Sequence, residues 1–479
     1  MITTDPLQRA SHSRGQSTND WVDMMDGLVD SFPDGVCYPT SLQDVQDIIQ
    51  FAKKTGAYLI PYGGGSSVVG HLTPLKEFSP SLSIDMTRMD RVLDINKQDM
   101  TARIQAGASG PILEEQLNDQ GYTLGHFPQS WEYSTLGGWI VTRSVGQQSY
   151  YYGRIEPLFV GGHLETPRGS MLLPSIPKSA AGSDLREWLL GSEGRYGIVT
   201  EATMRIRKIP ERENFYAAFF PNWDEGVKAE MEIAQRQLGV CMSRLSDAME
   251  TEVTLILSGE EKLVSLAKKG LNVFGQRDER VMLIYGVTGE NAATNLAKRE
   301  IKSIIHKHHG IGVDFYLGDA WKRKRFLTPY LRNTMWDLGY NLDTFETSLP
   351  WSVLKDYNKT VMHDLTHALD HVNEKVLAFS HISHIYTNGA SNYFTYIYRR
   401  SKDPVETLER WRKIKDMVSL RILEFGGTIS HQHGVGIDHK PYLQKEKTPL
   451  GMQLLKNSIK TLDPDGICNP GKLLDMENE

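Results

Sequence analysis

The tightest constraint on the fold lies in residues 57–70, AYLIPYGGGSSVVG, where a short apolar run breaks into three consecutive glycines and two serines. Just before it, Leu42, Val45, Ile48, Ile49 and Ala52 recur at helical spacing and Gly56 supplies a stop. The segment therefore reads as helix, strand, glycine loop. Glycines carry no Cβ, so successive backbone N–H groups can close around a phosphate. One reading of the loop is a diphosphate cradle; the other is an ordinary glycine turn. The spacing is neither GxGxxG nor GxxxxGK(S/T), so those two nucleotide-binding fingerprints do not apply.

Further segments of similar character follow. Residues 125–144, GHFPQSWEYSTLGGWIVTRS, and 182–211, GSDLREWLLGSEGRYGIVTEATMRIRKIPE, place Gly, Ser and Thr at the ends of apolar elements. Three such loops suggest one extended cofactor. Strand patterns at 82–86, 101–108 and 197–211, with a helix after Pro111, predict an α+β region that closes near Pro210. A second α+β region shows helical spacing at 223–238 and 291–309, a strand at 281–286 and mixed strands at 375–399. Its clearest helix spans 403–425, with Asp403 as cap, Pro404 in the first turn, Glu406 in a capping-box-like place and Gly426 at the end. That helix delivers the chain to SHQHGVG at 430–436. The expected organisation is a flexible N-terminal arm at 1–30, a cofactor domain at 31–211, a substrate or cap domain at 212–425, and a C-terminal segment at 426–479 returning to the cofactor.

Composition narrows the function. With 479 residues the chain exceeds the size of one hydrophobic core. No run of about 18 apolar residues is present, and the first twenty residues lack the apolar core of a signal peptide. The expected location is the cytoplasm. A net charge of −6 offers no basic field for nucleic acid. Cys37, Cys241 and Cys468 show no CxxC spacing, which argues against a disulfide framework or thiolate metal site. The basic run 321–332, WKRKRFLTPYLR, reads as a solvated face or as a surface that steers an acidic ligand, and the histidines of IHKHHGIG at 305–312 read as a helix end.

Taken as a set, the loop PYGGGSS, the segment ending STLGG and the run GSEGRYGIVTEAT resemble the FAD-binding domain of the vanillyl-alcohol oxidase superfamily over residues 37–211. The resemblance implies an α+β fold with a two-subdomain FAD-binding domain and an α+β cap. It implies FAD contacts at Pro61, Gly63, Gly64, Gly65, Ser66, Ser67, Pro128, Ser134, Thr135, Gly137, Gly138, Glu193, Gly194 and Ile198. Over nearly the whole chain, HFPQSWEYSTLGGW, SRLSD at 243–247, YLR at 330–332, DTFETSLPW at 343–351, GASNYF at 389–394 and SHQHGVG are similar to the alkyldihydroxyacetone-phosphate synthase family.

Those enzymes replace the acyl group of acyl-dihydroxyacetone phosphate by a fatty alkoxy group through a flavin N5 adduct, in ether lipid synthesis. The resemblance implies Tyr393 as acid/base, Arg332 as phosphate partner, Arg244 as a further substrate arginine, and His431 and His433 as catalytic-site histidines. Gln432 stands where the family's SHHHGVG has its middle histidine. Gln432 and His381 are expected to face substrate, and FAD is expected to be held non-covalently although His126 lies near the relevant loop. The implied partner is a small phospholipid precursor; a peripheral membrane contact and a homodimer are left open.

The alternative is an FAD-dependent dehydrogenase or oxidase of a 2-hydroxy acid such as lactate or glycolate. Its relatives bind a divalent cation through a GHxGDGNxH-type strand and a glutamate in SxEHGxG. This chain has SHISHIYTNGASNYF and Gln432 in those places, so no metal is expected; His381 and His384, absent from the synthase pattern, keep the alternative in view.

Overall fold

The computed structural model describes residues 2–257, 279–313 and 316–476. The chain divides into two compact units: residues 1–146, 153–209 and 432–479 form the first, and residues 147–152 and 210–431 the second. The first break falls two residues before the expected 211, where Pro210 ends a strand register. The second falls between His431 and Gln432, six residues past the expected 425 and inside SHQHGVG itself.

In the first unit, β1 (Ile2–Thr3), β2 (Gly35–Cys37), β3 (Tyr58–Tyr62) and β4 (Ser81–Asp85) form a sheet ordered β1-β2-β4-β3, with β2, β4 and β3 parallel. Parallel strands require a crossover. The helix Leu42–Thr55 supplies one, opened by the Ser41–Asp44 capping box and closed by Gly56 at φ 71°. Its Val45, Ile48, Ile49 and Ala52 bury against Leu59, Leu82 and Ile84. The crossover leaves the glycine loop at the carboxyl end of β3, the usual place for ligands on parallel sheets. Next come β5 (Val92–Asn96), β6 (Thr101–Gln105), β7 (Tyr122–Thr123), β8 (Phe159–Thr166), β9 (Gly169–Leu173), β10 (Ile198–Arg205) and β11 (Arg207–Lys208). Five of them make an antiparallel sheet ordered β5-β6-β10-β8-β9, and β7 pairs with β11.

The expected flexible arm at 1–30 is corrected. It contains the helices Pro6–Ser11 and Thr18–Met25 and buries Arg14, Ser17, Thr18 and Asp20. Hydrogen bonds order it where apolar periodicity is missing. Arg14 Nε donates to Asp23 at 2.9 Å and its Nη1 to the carbonyls of Ser13 and Ser31, while Asp20 accepts from Ser17 Oγ at 2.8 Å and Thr73 Oγ1 at 2.7 Å.

In the second unit, β12 (Arg212–Phe220), β13 (Val240–Ser246), β14 (Val281–Gly289), β15 (Ile311–Val313), β16 (Tyr340–Pro350), β17 (Leu377–Tyr386) and β18 (Gly389–Arg399) form one antiparallel sheet. Its order is β15-β12-β14-β13-β17-β18-β16. One face packs Leu245, Leu283, Phe345, Phe394 and Tyr396 against helix residues Ile233, Ile301, Val361 and Trp411. In the helix Pro404–Glu424, Asp403 caps Val405 N–H at 2.9 Å. Glu406 does not complete a capping box: its carboxylate takes Ser401 Oγ at 2.5 Å and Arg410 at 2.6 Å instead.

The helical histidines behave as a helix end, with His308 Nε2 2.9 Å from Glu232. The basic run is pinned to its surroundings, among other contacts by Lys322 to Glu213 at 2.7 Å and Arg325 Nη1 to Gln148 Oε1 at 3.1 Å. Among the described residues no helix is long and apolar enough to cross a membrane.

Glu230, on the helix Trp223–Gln235, is fully buried in this core. Burial pushes its carboxyl up to about 8, partly offset by the Ser243 hydroxyl. A carboxyl whose folded value lies above its unfolded one costs stability as pH rises from the unfolded value towards the folded one. Glu230→Gln is therefore expected to stabilise this unit at pH 7 by on the order of 3 kcal/mol, with the gain vanishing towards pH 4. Denaturant midpoints across that range check it.

Candidate functional site

The glycine loop of the first unit lies open at its backbone. Among the described residues the amides of Gly63, Gly64, Gly65 and Ser66 donate to no backbone acceptor. The loop is seated on residues 133–135: a Cβ at Gly63 would stand 2.3 Å from Thr135 Oγ1, and one at Gly64 1.8 Å from the Tyr133 carbonyl. Gly65, at φ 68°, packs on the Tyr62 hydroxyl. Only glycines allow this seating, and it leaves a row of unspent N–H groups, the donor set a diphosphate requires. The residues present fit an FAD diphosphate.

Around the loop the predicted contacts divide into groups. Ser134 Oγ is engaged, donating to Ser130 O at 2.9 Å and accepting from Trp139 Nε1 at 2.7 Å. Gly137 N–H donates to Ala106 O, Gly138 opens the short helix Leu136–Val141, and Pro128 is buried in the preceding turn. Gly194, at φ 80°, packs against Pro61. Ile198 is 1% exposed within the core cluster of Leu59 and Ile84, so any ligand contact from it is through backbone. His126 is buried on Trp139, with Nε2 3.2 Å from Ser144 Oγ, and burial pushes its imidazole down to about 3.

Glu193 organises the C-terminal turn. Its carboxylate accepts Val435 N–H at 2.6 Å and Gly436 N–H at 2.8 Å, and His71 Nε2 lies 2.9 Å from Oε2. His71 Nδ1 in turn contacts Ser67 Oγ at 2.7 Å. A line of polar contacts thus runs from the glycine loop through His71 and Glu193 to the half of SHQHGVG that holds Gln432 and His433, both partly exposed.

The N-terminal segment straps the same loop, a role its polar sequence does not disclose. Gln16 N–H donates to Ser67 O at 2.6 Å, a Cβ on Gly15 would stand 2.8 Å from that carbonyl, and His12 packs at a tilt on Tyr62 while contacting Asp85 at 2.9 Å. Gly15→Val is expected to weaken FAD binding by about 10-fold or more, since the intruding side chain must displace the loop. Flavin fluorescence titration of the apoprotein, with Leu7→Ala as an exposed control, reads this.

In the second unit the other sheet face carries a polar patch beside two apolar clusters, one of Phe215, Met282 and Ile284 and one of Leu342, Phe379 and Ile397. Cross-strand register aligns Ser246 with His381, His381 with Tyr393, and Tyr393 with Glu346, so these side chains share one face. A bulge between Ile382 and His384 inserts one residue and returns His384 and Tyr386 to that face, where strict alternation would have turned them away. Tyr393 OH donates to Thr344 Oγ1 at 3.0 Å and its ring stacks on His381, centroids 5.1 Å apart. Burial pushes the phenol up to about 12; the Thr344 bond and Arg332 act the other way, and Glu346 and Asp343 add to the rise. Arg332 Nη2 lies 3.8 Å from Asp343, whose closer contacts are Tyr396 OH at 3.1 Å and Trp411 Nε1 at 2.6 Å.

Arg244 pairs with Glu250 at 2.8 Å, and Glu250 holds His381 Nδ1 at 3.0 Å. Glu250 is held well below the usual carboxylate range by His381 and Arg244 against the upward push of burial, whereas burial and Glu250 push Asp247 up to about 7. His431 receives Tyr386 at 2.6 Å on Nε2, and its amide donates to Glu346 at 2.6 Å. The structure thus gathers Tyr393, His381, Arg244, Arg332 and His431 on one unit, and the glycine loop, Gln432 and His433 on the other.

Residues 33–173 match the family described as FAD binding domain, and residues 209–473 the family of FAD linked oxidases, C-terminal domain. An alkyldihydroxyacetonephosphate synthase of Dictyostelium discoideum is 33% identical over 99% of this chain and 78% of its own length. The chain belongs to the alkyldihydroxyacetonephosphate synthase family. The Caenorhabditis elegans synthase is 31% identical over 98% of this chain and 80% of its own. A solved alkyldihydroxyacetonephosphate synthase structure superposes with TM-score 0.86 at 31% identity, covering 98% of this chain and 83% of that one. A 4-ethylphenol oxidase from Gulosibacter chungangensis, 14% identical with TM-score 0.75, shares the fold alone. The fold is that of vanillyl-alcohol oxidase type flavoproteins, and FAD is the cofactor.

Resemblance singled out Tyr393, Arg332 and Arg244, and the structure sets all three on the second unit. Four groups escaped it: Glu250, Tyr386, Glu346 and His71. None belongs to a local pattern that marks a site, and only the partner across the fold gives each its meaning.

Proposed function

We propose that this chain is an FAD-dependent synthase that exchanges the acyl group of acyl-dihydroxyacetone phosphate for the alkoxy group of a fatty alcohol. The observation that carries the reading is the synthase likeness over 99% of the chain, which spans both units. When bound, FAD supplies an electron-rich ring system that lets one carbon–oxygen bond replace another with no net oxidation. Gly63 to Ser67 hold its diphosphate, with Thr135, Gly138 and Gly194 beside them.

Arg332 takes the phosphate dianion, which a planar guanidinium matches with paired donors. Tyr393, whose phenol burial keeps protonated at rest, is the acid/base at the reacting carbon, where one proton is removed and one returned. His431, oriented by Tyr386 and Glu346, and His433 on the turn fixed by Glu193 hold protons for the same chemistry. FAD is non-covalent in this reading, because His126 is committed to Ser144 and Trp139.

The hydroxy-acid reading has a relative too, a mitochondrial D-lactate dehydrogenase of Arabidopsis thaliana at 27% identity. Its required positions are otherwise employed here: His381 faces Glu250, His384 Nδ1 faces Ser149 Oγ at 3.1 Å, and Gln432 has no charge. The test is a flavin spectrum of the purified protein, release of the flavin by acid, and incorporation of labelled fatty alcohol with release of fatty acid. A colourless protein that cannot be reconstituted with FAD overturns the reading.

A further inference from the structure

The exchange has a proton balance that one phenol does not cover. The ester's carbon–oxygen bond breaks with its electron pair leaving on a carboxylate; the new bond forms from the alcohol oxygen, whose hydroxyl proton must go elsewhere. With Tyr393 committed to the reacting carbon and His431 Nε2 taken by the Tyr386 hydroxyl, the alcohol needs an acceptor of its own beside Tyr393.

One side chain beside Tyr393 is built for it. His381 is buried at 5% exposure, paired in register with Tyr393, and its ring lies within 16° of parallel to the phenol ring. Glu250 receives Nδ1–H at 3.0 Å and is itself fixed by Arg244 at 2.8 Å. A carboxylate on Nδ1 sets the tautomer, so the lone pair sits on Nε2, at the other end of the ring. This is the carboxylate–imidazole arrangement that makes a base of histidine.

Resting on the exchange reading above, we propose that His381, held by Glu250, takes up the hydroxyl proton of the incoming alcohol and yields it to solvent. No electron is gained or lost in the step. The charged groups acting on the pair are Arg244 on β13 and Asp247, which precedes the helix Ala248–Leu257 that carries Glu250; Glu346 on β16 faces the same sheet surface through Tyr393. Burial and Arg244 hold the imidazole below its ordinary value while Glu250 raises it, so it is neutral and basic at neutral pH.

The experiment compares two reactions of the whole flavoprotein. One is ether formation with a labelled fatty alcohol; the other is exchange of labelled fatty acid into the acyl ester with no alcohol present. His381→Asn keeps an N–H for Glu250 and deletes Nε2. It is expected to lower ether formation about 100-fold while acid exchange stays within about threefold. Glu250→Gln removes the anion that raises the imidazole, so the acid limb of the ether-formation pH profile moves to lower pH. Equal losses in both reactions, or unchanged ether formation, overturn the proposal. An unmutated flavoprotein that performs neither reaction overturns the exchange reading and this proposal with it, and that failure is told apart by occurring without any mutation.

Discussion

Replacing Tyr393 by Phe is expected to lower alkyl exchange by about 1,000-fold with flavin content unchanged, the scale on which a positioned acid/base acts. The ring stays, so its stack on His381 and its place between His381 and Glu346 persist. Only the hydroxyl and its bond to Thr344 are lost, a structural cost of about 1 kcal/mol. The burial that raises the phenol to about 12 gives a further signature. Wild-type turnover should show no alkaline loss from this group between pH 7 and 10, because it stays protonated at rest throughout. Steady-state rates, flavin absorbance and thermal midpoints together separate lost chemistry from lost fold. A variant that retains more than a tenth of the exchange removes Tyr393 from the mechanism.

The second large effect belongs to the cofactor loop. Gly64→Ala places a Cβ 1.8 Å from the Tyr133 carbonyl, a distance no packing tolerates, and the obstruction is backbone. The loop must leave residues 133–135, and the amides of Gly63 to Ser66 leave with it. FAD affinity is expected to fall by at least about 100-fold, roughly 3 kcal/mol, with the apoprotein still folded. Flavin-to-protein ratio after gel filtration and circular dichroism of the apo form check both parts. Retention of stoichiometric FAD contradicts the assignment of this loop.

These effects differ in how far the sequence announces them. Helix 42–55, its glycine stop and the loop were legible because each is local: helical spacing, Gly56 and three glycines lie within thirty residues. The strands at 281–286 and 375–399 were legible for the same reason. The polar patch was not. His381 meets Glu250 across 131 positions, and His384 reaches the same face only through a one-residue bulge that alternation does not forecast. Residues 1–30 misled for the opposite reason: their polarity resembles a loop, yet Arg14 pairs with Asp23 and Ser17 with Asp20 inside the fold, and Gln16 N–H straps Ser67. Tyr393 and Arg332 were reached by resemblance rather than by spacing; neither residue type in its own stretch distinguishes a site from a core tyrosine or a surface arginine.

The departure of Gln432 from the family's middle histidine gains a context in the structure. The division between units falls immediately before it, and the turn after it is fixed by Glu193 through the amides of Val435 and Gly436. Gly434, at φ 87°, and Gly436, at φ 54°, give that turn a backbone other residues rarely adopt, and a Cβ on Gly436 would stand 2.1 Å from Val69 O. The motif is a rigid carrier for whichever side chain stands at 432, so a glutamine there changes hydrogen bonding and charge rather than backbone.

The central claim is exchange without net oxidation, and one paired assay tests it most directly. The purified flavoprotein is given acyl-dihydroxyacetone phosphate and a labelled fatty alcohol, and in parallel a set of 2-hydroxy acids with a redox dye. The account predicts labelled ether product with equimolar fatty acid release and no dye reduction. Dye reduced by a hydroxy acid, with no label in the ether product, contradicts it.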